Sequence, residues 1–147
     1  MTVSRLSLVS RQASAREARD WLRALLRGWG DETARHNATL LLSEVVTNAV
    51  RHARGGTIMV AVTFSDSHLL AQVHDDSSNP PVRRAAGETG GWGLGLLDEL
   101  STHWGVDQQS DDGKIVWFEI DDGDLQQRPV EAASAVSPGS EPASGTL

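Results

Sequence analysis

The chain has 147 residues, which is enough for one domain with a substantial hydrophobic core. Its net charge of −7 argues against a nucleic-acid binder, because such proteins usually carry a basic patch or stripe. The absence of cysteine excludes disulfides, thiol chemistry and thiolate metal sites. No stretch approaches the run of about 20 apolar residues that spans a bilayer, and the N-terminus lacks the long apolar region of a secretory signal. We therefore expect a cytoplasmic protein.

The N-terminal part of the chain predicts one strand and two helices. Residues 5–10 are typical of a short edge strand. Ser14 is expected to cap the first helix, since an acid follows at the third helical position and the apolar residues after it keep three-and-four spacing. A pair of glycines ends this helix, and either Asp31 or Thr33 begins the second one.

The apolar period then changes from that of a helix to that of a strand. Residues 58–64 alternate in a way that is typical of a strand covered on both faces. The later predicted elements are strands at 69–75, 104–109 and 114–120, and a helix at 96–102. We expect a domain over residues 1–122, in which a layer of helices packs on a mainly antiparallel sheet. The composition of 123–147, rich in Gln, Pro, Ser, Ala and Glu, predicts a disordered tail.

The second predicted helix carries a polar stripe within an apolar sequence. Glu44, Asn48 and His52 are spaced by four residues and therefore project from one face of the helix. An unpartnered buried carboxylate costs several kcal/mol, so the stripe is expected to border a polar pocket. A carboxylate and an amide oxygen are hard ligands of the kind that suits a magnesium-bearing site.

Two further features are candidates for the same site. Asp75 ends a predicted strand and precedes a polar loop. A glycine cluster then stands before the third helix, where backbone amides can approach an anion; it consists of Gly90, Gly91, Gly93 and Gly95. The cluster lacks the Lys-Ser/Thr of a Walker loop and does not lie in a βαβ unit, so neither common phosphate-loop interpretation applies.

The order of these elements is more specific than any of them alone. Glu-x-x-x-Asn-Ala-x-x-His, then strand-Asp-loop, then Gly-x-Gly-x-Gly-helix resembles the ATP-binding domain shared by DNA gyrase, the large heat-shock chaperone ATPases, histidine kinases and MutL proteins. The chain is most similar to the RsbW/SpoIIAB-type anti-sigma factors, which are serine kinases, and to their actinobacterial branch. The resemblance spans about residues 6–122. It implies an α+β, two-layer sandwich with a mixed, mainly antiparallel sheet covered on one face by about three helices.

The resemblance also implies a role for each matched residue. Glu44 would be the general base, Asn48 would ligate the Mg²⁺ that bridges the ATP phosphates, and Asp75 would accept a hydrogen bond from the adenine amino group. His52 would shape the pocket. The residues expected to wrap the phosphates are Gly91, Gly93, Leu94 and Gly95.

The chain departs from the family pattern near the base. Ser77 stands where the family usually has glycine and is expected to line the nucleotide site, and Asn79-Pro80-Pro81 replaces a second glycine. Both departures weaken the expectation of nucleotide binding. Lys114 matches a family position at the start of the last strand, but a solvated strand-end lysine is the expected outcome.

Two functions of different class follow. The first is a Mg-ATP-dependent anti-sigma factor that sequesters a sigma factor and phosphorylates a serine on a STAS-type antagonist. The second is a nucleotide-binding adaptor that acts by partner capture without useful turnover. A sensor histidine kinase is a poor match, because no helical hairpin with a phospho-accepting histidine precedes the domain. The resemblance further implies a homodimer formed through the first strand and helix.

Overall fold

A computed structural model of the chain describes residues 2–53, 56–76, 94–108 and 113–121. Within these ranges the chain forms three helices and five strands, which confirms the expected α+β class. The elements, in chain order, are β1 Val3–Val9, α1 Ser14–Leu25, α2 Glu32–Ala53, β2 Thr57–Ser65, β3 His68–Asp75, α3 Leu94–Leu100, β4 His103–Gln108 and β5 Lys114–Asp121. The expected disordered tail lies outside the described residues.

The strands form one sheet in the order β1-β2-β3-β5-β4. Every pairing is antiparallel, so the described strands contain no parallel component of the mixed sheet that we expected. One row of facing residues crosses the whole sheet, from Leu6 through Val60, Val73 and Val116 to Val106. Because side chains alternate between the two faces of a strand, this row fixes which face of each strand is the apolar one.

The helices cover that apolar face. α2 contacts β2, β3, β5 and α3, and α1 lies against α2 and β1. The opposite face of the sheet is open, since Thr57 and Met59 of β2 are exposed. The prediction that this strand is covered on both faces is therefore wrong. The alternation was read correctly, but the small side chains Ala61 and Thr63 are half-buried among neighbouring strands rather than under a second layer.

A hydrogen bond decides where α2 begins. The carboxylate of Asp31 accepts a hydrogen bond from the backbone N–H of Ala34 at 2.8 Å. This is the geometry of a helix cap, in which a side-chain oxygen satisfies one of the unpaired N–H groups of the first turn. Asp31, and not Thr33, is therefore the residue that starts the helix.

The connection between α1 and α2 turns on two glycines and is fastened by a tryptophan. Gly28 and Gly30 have φ values of +85° and +60°, a region that other residues adopt only at a steric cost. Between them, the buried indole of Trp29 donates a hydrogen bond to the carbonyl of Ser65 at 2.6 Å. This bond joins the helical hairpin to the turn between β2 and β3.

Ser14 does not cap α1 as predicted. The helix begins at Ser14 itself, and no side chain caps it. The buried Ser14 hydroxyl instead donates to the carbonyl of Val9 at 2.7 Å and accepts from the N–H of Arg11 at 3.0 Å. The serine therefore fixes how the chain leaves β1 and enters the helix. None of the helices in the described ranges is long and apolar enough to cross a membrane.

Candidate functional site

The polar stripe predicted from the sequence lies in the middle and C-terminal part of α2. Asn48 is 9% exposed, and Glu44 and His52 are half-buried. The spacing of four residues places the three side chains along one face of the helix. The adjoining face belongs to the core, and its buried residues are Leu41, Leu42, Val45, Val46 and Ala49. The stripe therefore follows the border of the core.

Glu44 and Asn48 differ from the other polar residues of this helix in lacking partners. Thr47 and Ser43 donate their hydroxyl hydrogens to backbone carbonyls one turn back, at 2.8 and 3.2 Å. His52 also interacts with its surroundings. Among the residues that the structure describes, the side chains of Glu44 and Asn48 have no hydrogen bond or ion pair. Since nearly all buried polar groups in proteins are paired, this acid and this amide are available to a ligand.

Asp75 lies on the same side of the sheet as the stripe. It is the last residue of β3 and is 1% exposed, in phase with the buried Leu69, Ala71 and Val73. That phase directs it towards the helical layer, and α2 contacts β3. The fold therefore brings the helical acid and amide and the strand-end aspartate into one layer of the molecule, as the sequence predicted.

Lys114 contradicts its prediction. It is 2% exposed, and its ammonium lies 3.1 Å from each of the two carboxylate oxygens of Asp75. The sheet register places these two residues directly opposite each other on β3 and β5. Lys114 shares the inward phase of Val116 and Phe118, so its side chain points into the molecule. This phase was visible in the sequence, and so was the fact that Lys114 is the only lysine of the chain.

Gly113 makes this pairing sterically possible. A Cβ at Gly113 would lie 2.8 Å from Nε2 of His74 and 3.0 Å from the backbone oxygen of Asp75. Contacts of that length require the neighbours to move, and the backbone of Asp75 has little freedom to do so. The glycine therefore lets the start of β5 approach the end of β3 closely enough for Lys114 to reach the carboxylate.

The structure describes only part of the expected phosphate loop. Leu94 begins α3, two residues earlier than predicted, and Gly95 lies in the first turn of that helix. Gly95 is exposed, and a Cβ there would meet no described atom within 4 Å. Ser77, Gly91 and Gly93 lie outside the described residues, so their predicted contacts with the nucleotide are not tested by the structure.

The large clefts among the described residues lie elsewhere. An open cavity of about 580 Å³ lies where α1 ends and α2 begins, and Arg23, Arg27 and Arg35 are among its lining residues. Arg35 donates hydrogen bonds to the carbonyls of Trp29 and Gly30, so its charge already serves the hairpin. Neither this cavity nor the smaller one beside it is lined by the stripe or by Asp75. Residues 77–93, which the resemblance places around the nucleotide, are outside the described ranges.

Comparison with known proteins identifies the family. The model of the histidine kinase-like ATPase domain matches residues 8–120. The chain belongs to this family. Its fold is similar to that in the crystal structure of the RsbU and RsbW domains of Rv1364c from Mycobacterium tuberculosis, with a TM-score of 0.65 and 21% sequence identity. The match covers 82% of this chain but only 32% of that one. A search of curated proteins found no match.

These comparisons confirm the expected family and the RsbW-type sandwich fold. Membership of an ATPase-domain family implies ATP as the ligand and a kinase-like regulatory function. At 21% identity the structural similarity supports the fold alone. The roles of the individual site residues remain predictions.

Proposed function

We propose that this protein is a Mg-ATP-dependent anti-sigma factor that phosphorylates a serine of a STAS-type antagonist. The observation that carries the proposal is the unpartnered pair of Glu44 and Asn48, one helical turn apart at the edge of the core. Such a pair is costly to retain unless a ligand satisfies it. The family supplies the identity of that ligand, an adenine nucleotide.

The donor set suits magnesium that arrives with the nucleotide. Asn48 offers one hard amide oxygen, and the described residues contain no group of three acidic or histidine side chains that would hold a metal ion alone. Mg²⁺ commonly takes one or two protein oxygens and fills its other positions with phosphate oxygens and water. Asn48 would hold the ion, which when bound neutralises charge on the phosphates.

Glu44 is the residue proposed to act on the attacking group. Its carboxylate accepts the proton of the serine hydroxyl while the serine oxygen bonds to the terminal phosphorus and the bond from that phosphorus to the leaving ADP oxygen breaks. The products are phosphoserine and ADP, and the proton resides on Glu44 until solvent removes it. Asp75 accepts a hydrogen bond from the adenine amino group and so fixes the orientation of the nucleotide.

The partners belong to the proposal as well. The structural neighbour is described as containing RsbU and RsbW domains, and its RsbW domain has the fold of this chain. We propose a sigma factor and a STAS-type antagonist as alternative partners of this chain, with phosphorylation of the antagonist deciding which of the two is bound. Attachment to further domains, as in that neighbour, would change the setting but not the reaction.

One observation favours a second candidate, an adaptor that binds nucleotide and captures partners without turnover. Ser77 occupies a position where the family usually has glycine. A side chain close to the base alters how the nucleotide lies in its pocket, and a small misplacement of the reacting atoms lowers the rate steeply. The two candidates share ATP binding and differ in phosphoryl transfer.

Transfer of label from γ-³²P-ATP to STAS-type proteins of the same genome separates these candidates. We expect Mg²⁺-dependent labelling of serine in one such protein, and a loss of about a hundredfold or more in Glu44→Gln, in line with the usual contribution of a general base. Glu99→Gln, which changes an exposed acid of α3, is the matched control and should transfer normally. ATP binding without any transfer would favour the adaptor. Failure to bind ATP would overturn both candidates.

A further inference from the structure

The ion pair between Asp75 and Lys114 has a consequence for the choice of nucleotide. We infer that Lys114 is a positioning residue that restricts the carboxylate of Asp75 to a single hydrogen bond with the base, and thereby selects adenine over guanine. The inference rests on the proposed function, because it concerns the same nucleotide site. It assigns to Lys114 a role that the family resemblance does not supply.

The position of the ammonium is the first step of the argument. Nζ of Lys114 is equidistant from the two oxygens of Asp75, at 3.1 Å from each. An atom that is equidistant from both oxygens occupies the fork of the carboxylate, where a bidentate partner would otherwise bind. Both side chains are almost fully buried, at 3% and 1% exposure, so water does not compete for this position.

The acceptor capacity of the carboxylate is the second step. An ionised carboxylate has about four lone-pair positions. The ammonium of Lys114 occupies the two that flank the fork, and Asp75 takes part in a further interaction as well. Little capacity remains for a second bidentate partner. An outer lone pair of one oxygen can still accept a single N–H.

The two purines differ in the way that this arrangement detects. Guanine presents two adjacent N–H donors, at N1 and at the 2-amino group, which a carboxylate accepts in its fork. Adenine presents one amino group, with the acceptor N1 beside it. With the fork already filled, guanine would leave a donor unpaired and place its 6-carbonyl near the carboxylate. Buried polar groups that lose their partners give strong discrimination between substrates.

Calorimetric titration of the unmodified protein with a panel of Mg-nucleoside triphosphates tests the inference without any substitution. The panel contains ATP, GTP, inosine triphosphate and 2,6-diaminopurine nucleoside triphosphate. We expect GTP and inosine triphosphate to bind about a hundredfold more weakly than ATP or worse. The diaminopurine nucleotide should bind within about tenfold of ATP, because it keeps the 6-amino group. Binding of GTP within about threefold of ATP would overturn the inference.

Substitution of Lys114 tests the cause of the selectivity. In Lys114→Met the fork is vacant, so the ratio of ATP to GTP affinity should fall by about tenfold through a gain for GTP. Lys114→Arg should keep the ratio, because a guanidinium also fills the fork of a carboxylate. Arg23→Met, which removes an exposed cation of α1, is the matched control and should leave the ratio unchanged.

The outcomes distinguish this inference from the proposed function. A folded Lys114→Met protein with an unchanged ratio, or a parent protein that does not discriminate, would reduce Lys114 to a structural residue while leaving ATP binding intact. Absence of binding by every nucleotide would remove the proposed function, and this inference with it. Circular dichroism checks that each variant is folded, and if Lys114→Met does not fold, the nucleotide panel on the parent protein decides.

Discussion

At the scale of single residues, the strongest coupling in the described structure joins Asp75 to Lys114. The two charges are buried and come from different strands. Removing one partner of a buried pair leaves an uncompensated charge, which is far more costly than removing both.

Lys114→Met should therefore lower the free energy of unfolding by about 3–5 kcal/mol. The double variant Asp75→Asn/Lys114→Met should recover a large part of that loss, because no isolated charge remains. Urea unfolding of the two variants and the parent measures both values. A double variant as unstable as the single one would show that the pair does not act through its charge.

The sequence allowed part of this residue-scale picture to be predicted. Glu44 and Asn48 were found because helical periodicity places residues four apart on one face, whatever the surroundings. Asp75 was found from its position at the end of an apolar strand. Burial of Lys114 was missed because a lysine is rarely buried and the partner that stabilises it is 39 residues away in the chain. Contacts between strands depend on register, which local patterns do not fix.

At the scale of elements, α2 is the helix on which the site depends, and its start is set by one side chain. Asp31→Ala should lower the free energy of unfolding by about 1 kcal/mol, because the first turn loses the acceptor for the N–H of Ala34. Thr33→Ala is the matched control, since Thr33 is exposed and makes no capping bond. Chemical denaturation measures both. An equal loss in the two variants would contradict the assignment of the cap.

Gly95 allows stability and ligand binding to be separated within α3. A Cβ there meets no described atom, and alanine is favoured over glycine in a helix by up to about 1 kcal/mol. Gly95→Ala should therefore be as stable as the parent or slightly more so, yet bind ATP about tenfold more weakly if the phosphates approach this turn.

The opposite pattern is expected at Gly28. Its φ of +85° makes Gly28→Ala destabilising by about 1–2 kcal/mol, while ATP affinity should stay unchanged because the residue belongs to the α1–α2 hairpin. Thermal unfolding and calorimetry on the two variants give the comparison. Unaltered ATP affinity in Gly95→Ala would remove this glycine from the proposed site.

Element types were easier to predict than element limits and coverage. All eight elements were expected from period changes and turn residues, but α3 begins two residues earlier than its apolar pattern indicated. The open face of the sheet was also missed at β2. Alternation of apolar residues shows that both faces of a strand avoid charge, and it does not show whether a second layer covers the outer face.

At the scale of the whole molecule, the two edges of the sheet differ. The outer surface near β1 carries the exposed apolar side chains Val3, Val9 and Met59, at 38%, 67% and 36% exposure. An exposed edge strand with apolar neighbours is a template for pairing with another chain. The β4 edge instead presents exposed polar residues such as Asp107.

We therefore expect the homodimer implied by the family resemblance to form at the β1 edge. Light scattering coupled to size-exclusion chromatography should give a dimer mass for the parent and a monomer mass for Val3→Lys/Val9→Lys. Asp107→Lys, at the other edge, is the control and should remain dimeric. A monomeric parent at all concentrations would contradict this expectation without affecting the nucleotide site.

The central claim is that Glu44, Asn48 and Asp75 form one Mg-ATP site, and calorimetric titration of ATP with and without Mg²⁺ tests it most directly. The parent chain should bind one ATP, and Mg²⁺ should tighten binding by about tenfold or more. Asn48→Ala should lose that Mg²⁺-dependent gain while remaining fully folded, because its amide has no partner among the described residues. A parent chain that ignores ATP, or an Asn48→Ala protein that keeps the full response to Mg²⁺, would contradict the claim.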